Sequence, residues 1–139
     1  MSLVFGALQK AILDRLRSDV AVTSLLNQEK NTKGIYDYVT ESTVYPYIVI
    51  GEPRVDAFSV KTEDVKDYSV TLHIWSNYKG NSEVYKILSA IYESLKYKLK
   101  ISGYTTVKTS CNDTRVFTDI DGIHRHGVFT LKISLQKEK

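Results

Sequence analysis

The sequence predicts an α+β fold, in which two principal helices pack on a four-stranded, mainly antiparallel sheet. Residues 3–16 and 84–95 repeat apolar side chains at intervals of three and four, which is typical of amphipathic helices. Four other segments show the apolar patterns of strands, at residues 45–51, 68–75, 104–117 and 125–135. The predicted order is helix, an optional short helix, two strands, helix and two strands, so consecutive strands are expected to pair.

Length and composition predict a single folded domain over residues 1–139. The hydrophobic fraction is 42% and the charged fraction is 25%, both ordinary for a globular protein. Cys111 is the one cysteine, so an internal disulfide is excluded and synthesis in a reducing cytoplasm is expected. The N-terminus does not resemble an export signal, and no apolar run approaches the length of a membrane span.

In the first half of the chain, the sequence predicts one long helix followed by short elements. Ser2 is a plausible cap for the helix at residues 3–16, and residues 20–26 could add a second, short helix. Residues 27–34 are polar and predict a loop, and residues 35–39 could form a brief strand.

Two strands and a charged connection follow. Residues 45–51 are apolar on both alternating faces, which predicts a central strand with Pro46 at its start and Pro53 near a break. Residues 68–75 alternate strictly, which predicts a half-buried strand. Residues 59–67 carry mixed charges without a tight turn, and we predict a long, mobile hairpin loop there.

The second principal helix is predicted to begin after Gly80 and Asn81. Its apolar stripe is widened by Tyr85 and Tyr92, which we expect in the core together with Tyr47 and Tyr68. Trp75 shares a strand face with polar residues, so it could be an interface anchor or could lie under the loop at residues 76–80. An Asp-Gly pair at residues 121–122 predicts the turn between the last two strands.

Candidate reactive groups have simpler structural interpretations. His124 and His126 share a predicted strand face, but two ligands do not make a metal site and a solvated surface is favoured. Asp119 and Asp121 resemble part of a calcium loop whose later ligands are missing, so a turn is favoured. Cys111 shares strand parity with Val107 and is expected to be a half-buried packing residue. We therefore predict no catalytic, cofactor or metal site.

Two other functions remain open at the level of sequence. A small nucleic-acid-binding module could use aromatic side chains beside basic ones, although the net charge of +3 is low for that role. A thiol-dependent enzyme would need a base beside Cys111, and the sequence does not exclude His73 or His126.

Five short segments carry a resemblance to a known family. They are LQKAI at residues 8–12, GIYD at 34–37, YPYIVIG at 45–51, LHIWS at 72–76, and Asp121-Gly122 followed by RHGV at 125–128. In this order and spacing the chain resembles the tail completion proteins of long-tailed bacteriophages and prophages, also described as tail terminator or tail-to-head joining proteins.

The resemblance implies a non-catalytic virion protein that caps the tail tube and joins it to the head connector, commonly as a hexameric ring. It implies the major tail tube protein and a head connector or stopper protein as partners, a place at the head–tail joint, and DNA passing through without specific recognition. It implies neither a cofactor nor a membrane.

Ring closure from identical subunits needs two different contact patches on each copy, and exposed loops and sheet edges are natural patches. The loop at residues 59–67 could order on assembly or could remain merely solvated. The predicted partner-contact residues are Arg54, Lys61, Glu63, Asp64 and Lys66 in or beside that loop, Trp75, and Arg125 with His126 after the last turn.

Overall fold

A computed structural model describes residues 4–56, 65–97 and 99–138, and these residues form three helices and five strands. The α+β class and the predicted order of the principal elements are confirmed. Among the described residues no helix is long and apolar enough to cross a membrane. In chain order the elements are α1 (Phe5–Arg17), α2 (Val20–Thr23), β1 (Ile35–Tyr36), β2 (Tyr47–Val55), β3 (Val65–Ser76), α3 (Ser82–Leu95), β4 (Tyr104–Thr118) and β5 (Arg125–Lys137).

The strands form one mixed sheet in the order β1-β2-β3-β5-β4. The prediction of four strands was wrong by one, because β1 joins the edge and pairs with β2 in parallel through Ile35 and Ile48. The other neighbouring pairs are antiparallel, as predicted. A two-residue strand has too few positions to show an alternating pattern, so only its partner makes it a strand. The centre of the sheet is β3 rather than β2.

The loop predicted at residues 59–67 overlaps the start of β3. Residues 65–67 belong to β3 and pair with β5, from Val65 opposite Gln136 to Asp67 opposite Ser134. The charged side chains obscured this strand because they interrupt its apolar pattern. Residues 57–64 lie outside the described residues.

The helices cover one face of the sheet and enclose the core with it. Leu72 and Ile74 of β3 and Phe129 of β5 are almost fully buried in one cluster with residues of α1 and α3. A methyl group added to Gly127 would lie 2.8 Å from Val84 Cγ1 of α3, so this helix packs directly on β5. The other face, which we call the outer face, carries the alternate residues of each strand.

Two helix predictions are corrected by the structure. The α1 helix begins at Phe5 with Val4 as its N-cap residue, and the predicted cap Ser2 lies outside the described residues. Tyr47 and Tyr68 are buried as predicted, but Tyr85 and Tyr92 are exposed rather than in the core. The side of α3 that meets the sheet is already filled by its aliphatic residues, so tyrosines about 100° around the helix point outward.

Bulges in β4 overturn the predicted parity of Cys111. Cys111 is buried, but Val107, expected on the same face, is exposed. The register against β5 shifts between Thr106 and Lys108 and again between Ser110 and Asp113. An extra residue in one strand moves the following side chains to the opposite face, which a strict period of two does not foresee.

Candidate docking surfaces

Four aromatic side chains form a row across the outer face of the sheet. Tyr47, Trp75, His126 and Phe117 are successive cross-strand partners on β2, β3, β5 and β4. The ring centroids of Trp75 and His126 are 4.0 Å apart with the planes 10° from parallel. Phe117 meets His126 edge-on with centroids 4.6 Å apart. We call these four residues the aromatic row; such ring pairs stabilise neighbouring strands beyond their buried area.

The row is extended at its β2 end by two further rings. Tyr45 stacks on Tyr47 with centroids 5.3 Å apart, and on its other side it stacks on His124 at 4.8 Å. Burial raises the pKa of Tyr47 to about 12, with a smaller contribution from Tyr45. The segment before β2 is thereby attached to the turn before β5, and the Tyr47 hydroxyl remains protonated at neutral pH.

A histidine pair lies beside the row. His73 Nδ1 is 2.8 Å from His126 Nε2, so one ring donates a hydrogen bond and the other accepts it. Burial lowers the pKa of both rings, and the proximity of His73 lowers that of His126 further. His126 lies on the face of the sheet that the helices leave uncovered, as predicted, but its ring contacts make it half-buried rather than freely solvated. Its partner is far away in the sequence and becomes a neighbour only through the pairing of β3 with β5.

The predicted partner contacts that the structure describes lie towards two different ends of the sheet. Trp75 and His126 come together in the aromatic row, where both are half-buried. Arg125 turns back towards the preceding turn, where its guanidinium donates to the carbonyl oxygen of Ile123 at 3.1 Å. Arg125 therefore helps to hold the turn rather than projecting freely from it.

The candidates near the charged loop are only partly described. Arg54 is exposed in β2, and its guanidinium Nε is 3.4 Å from the Asp56 carboxylate. Lys66 was predicted to lie in the loop. It lies instead in β3, opposite Leu135, and is half-buried. Lys61, Glu63 and Asp64 lie outside the described residues.

The connection between β4 and β5 is a hydrogen-bonded turn, which we call the hairpin tip (residues 119–124). Asp121 Oδ1 accepts hydrogen bonds from the backbone N–H groups of Ile123 and His124, at 2.8 and 3.0 Å. The other carboxylate oxygen bonds to the His124 ring. These bonds lower the pKa of Asp121 to about 2. Gly122 has a φ of 73°, which confirms the predicted Asp-Gly turn.

The hairpin tip also brings together three potential metal ligands. One ligand atom from each of Asp119, Asp121 and His124 lies within 4.8 Å of the others. No third ligand was predicted from the sequence, because His124 was considered together with His126 and not with the two aspartates of the turn. The hydrogen bonds of the turn already account for the positions of Asp121 and His124, so the grouping does not require a metal.

Cys111 is poorly placed for nucleophilic chemistry. It belongs to the hydrophobic core, and burial raises the pKa of its thiol, which disfavours the reactive thiolate. His73 and His126 bond to each other on the outer face, so neither is positioned as the base for this thiol.

The exposed side of α3 carries a surface that the sequence analysis missed. Tyr85, Tyr92 and Tyr97 are exposed by 54%, 42% and 64%, and we call them the tyrosine stripe. Lys96 Nζ lies 5.9 Å from the ring centroid of Tyr92 and 5.2 Å from that of Tyr97. The spacing of seven between Tyr85 and Tyr92 was the available signal, since it places two side chains on one side of a helix.

Comparisons with known proteins identify the family. The family profile of tail completion protein gp17 matches residues 10–136. The tail completion protein gp17 of Bacillus phage SPP1 is 30% identical over 130 residues, covering 93% of this chain and 92% of that protein.

Two solved structures share the fold. A chain in a structure of the virion of a native gene transfer agent particle superimposes with a TM-score of 0.82 at 19% identity, covering 98% of this chain and 99% of that one. The structure of the bacteriophage SPP1 gp17 protein gives a TM-score of 0.63 at 28% identity, covering 99% and 94%. With the profile match across most of its length, this chain belongs to the tail completion protein gp17 family.

Proposed function

We propose that this protein caps the end of a phage tail tube and forms the joint to the head connector, as a hexameric ring. The observation that carries the proposal is the family match over residues 10–136, supported by a 30% identical tail completion protein aligned along most of both chains. An alignment of that extent includes every described strand, apart from the last residue of β5, and the greater part of every described helix. The proposed partners are the major tail tube protein and a head connector or stopper protein.

The structural comparisons support a place in the virion. The fold recurs in a chain of a gene transfer agent virion, which is an assembled particle, and in SPP1 gp17. We infer that this protein is likewise part of a particle, at the end of the tail that meets the head. DNA would pass through the ring without specific recognition, in keeping with the net charge of +3.

A structural rather than catalytic role fits the chemistry of the described residues. The buried Cys111 thiol is held in its less reactive form, and the two half-buried histidines bond to each other. The exposed apolar and aromatic side chains, by contrast, suit contacts with other proteins. We infer that the protein acts by binding and does not turn over a substrate.

Deletion of the gene from its phage, prophage or gene transfer element tests the proposal. Electron microscopy of the lysate should show filled heads separate from tails, and the wild-type gene supplied in trans should restore joined particles. Joined, infectious particles in the deletion strain would contradict the proposed function.

The charged loop needs a separate test, whose boundaries the structure sets. Residues 65–67 belong to β3, so a deletion that reached Asp67 would damage the sheet itself. Replacing residues 59–64 with Gly and Ser at constant length should preserve the unfolding midpoint but block joining, because this change removes Lys61, Glu63 and Asp64 together. Normal joining by this variant would show that residues 59–64 are not needed to join heads to tails.

A further inference from the structure

We propose that the hairpin tip of one copy docks on the tyrosine stripe of the next copy. The inference rests on the proposed ring, which it deepens by naming the two patches that meet. A ring of identical subunits is closed by head-to-tail contacts, so each copy must present two different, complementary surfaces. The hairpin tip and the tyrosine stripe are both exposed, hydrogen bonds constrain the tip, and the two surfaces carry charges of opposite sign.

The hairpin tip projects an apolar side chain from a rigid support. Ile120 is fully exposed, at 103%, and Ile123 is exposed beside it. Asp121 fixes the turn through two backbone hydrogen bonds, and Asp119 N–H donates to the carbonyl oxygen of His124 at 2.8 Å. Since these hydrogen bonds already constrain the turn, docking it costs less conformational entropy than docking an unconstrained loop.

The tyrosine stripe offers an exposed aromatic surface. Tyr85 and Tyr92 lie two helical turns apart, or about 10 Å along the axis, and Tyr97 follows just beyond the helix. Tyrosine is enriched where interfaces carry most of their binding energy, because a large rigid ring can bury area while its hydroxyl remains hydrogen-bonded. Exposed aliphatic side chains of another copy can pack against such rings.

The charges of the two surfaces differ in sign. Ile120 is flanked by Asp119 and Asp121, and Arg125 at the base of the tip offsets one of these charges. In α3 and just after it, the exposed basic residues Lys86, Lys96 and Lys100 outnumber the exposed acidic residue Glu93, with which Lys96 pairs at 2.6 Å, while Glu83 is half-buried and accepts a hydrogen bond from Ser76. Opposite charges favour contact between tip and stripe.

The same charges disfavour the symmetric alternatives. Two tips in contact would bring their Asp119 and Asp121 carboxylates together, and two stripes would bring lysines together. Like charges brought into an interface oppose binding, so a two-fold contact of either patch with itself is disfavoured. A second copy joined head to tail is therefore the occupant that the surfaces select.

Disulfide trapping with single-cysteine variants tests the contact. In a Cys111→Ser background, protein with Ile120→Cys is mixed with protein carrying Tyr92→Cys under mild oxidation. The control replaces Tyr92→Cys with Val20→Cys, which is also exposed but lies on α2. We expect the Ile120–Tyr92 mixed dimer to form roughly tenfold faster than the Ile120–Val20 dimer, because docking raises the local thiol concentration.

Equal rates for the two mixtures would overturn the contact, and so would faster cross-linking of the Ile120→Cys variant with itself, which indicates a two-fold interface. Assembled particles provide the second arm. A Cys111→Ser, Tyr92→Cys, Ile120→Cys variant that joins heads to tails should give a covalent ladder of subunits after oxidation, and joined particles without a ladder would overturn the contact. If this variant does not assemble, the solution rates decide.

The two proposals fail in different ways. If the wild-type gene does not restore joining in the deletion strain, the proposed function is wrong. If wild-type joins normally while the cross-links show no preference, the contact is wrong and the proposed function stands.

Discussion

His73 and His126 lie on neighbouring strands, 53 positions apart in the chain, and the hydrogen-bonded nitrogens of their rings are 2.8 Å apart. The centroids of the two rings are 5.1 Å apart, and His126 also stacks on Trp75 with centroids 4.0 Å apart. Within the outer face this pair joins β3 to β5 through side chains as well as backbone. It converts two residues that titrate near neutrality into a single structural contact.

The histidine pair should make stability depend on pH. Burial lowers the pKa of both rings below the ordinary 6.5, and the weaker effect of Asp119 on His126 acts in the other direction. The unfolded chain therefore binds more protons than the folded chain just below pH 6.5. The contribution of the pair to the free energy of unfolding is fully present above that pH and is lost as the pH decreases through it. Urea unfolding at pH 7.5 and 5.5 measures the difference, and His126→Gln should make it smaller. An unchanged difference in that variant would contradict this account.

Asp121 should titrate far below an ordinary aspartate. Backbone hydrogen bonds from His124 and Ile123 and the His124 ring hold its pKa at about 2, against 3.8 for an unperturbed carboxyl. The contribution of the ionised group is therefore present above pH 3.8 and is lost as the pH falls towards 2. Carbon-13 NMR of the side-chain carboxyl measures this pKa directly. Titration near 3.8 would show that the turn bonds do not form in solution.

Gly127 and Gly6 should respond oppositely to replacement by alanine. A Cβ at Gly127 would lie 2.8 Å from Val84 Cγ1 and 3.3 Å from Ile74 Cβ, so Gly127→Ala should destabilise the protein by about 1–3 kcal/mol through overpacking. A Cβ at Gly6 of α1 meets no atom within 4 Å, and Gly6→Ala should stabilise by about 0.4–1 kcal/mol. Denaturant unfolding measures both changes. Equal changes in the free energy of unfolding for the two variants would mean that α3 does not pack closely on β5.

Cys111 should be unreactive in the folded protein and dispensable for function. It is buried and its thiol pKa is raised, so a thiol reagent should modify it only slowly until denaturant is added. Cys111→Ser should restore head–tail joining in the deletion strain as well as the wild type does. Loss of joining in a Cys111→Ser protein that remains folded would support the alternative that this protein is a thiol-dependent enzyme.

The fold was largely predictable because its principal elements carry complete patterns. The apolar stripes of α1 and α3 and the alternation of β3 each repeat over many residues, so single exceptions do not hide them. The errors fall where a pattern is short or interrupted. The two-residue strand β1, the charged start of β3 and the bulges of β4 are of this kind.

The candidate surfaces were less predictable. Trp75 and His126 were identified separately, but their contact depends on the register between β3 and β5. Tyr85 and Tyr92 were assigned to the core because they widen the apolar stripe of α3, but a tyrosine beside such a stripe can be buried or exposed. Which of these occurs depends on how much of the helix the sheet covers.

By itself, the sequence determined the class of fold, the order of the principal helices and strands, and the resemblance to the tail completion family, because each depends on local pattern or on residue order. The tertiary structure alone decided which side chains meet across the sheet and which remain outside it. Cross-strand partners such as His73 and His126 are brought together by register, and register is a property of paired strands rather than of either segment alone.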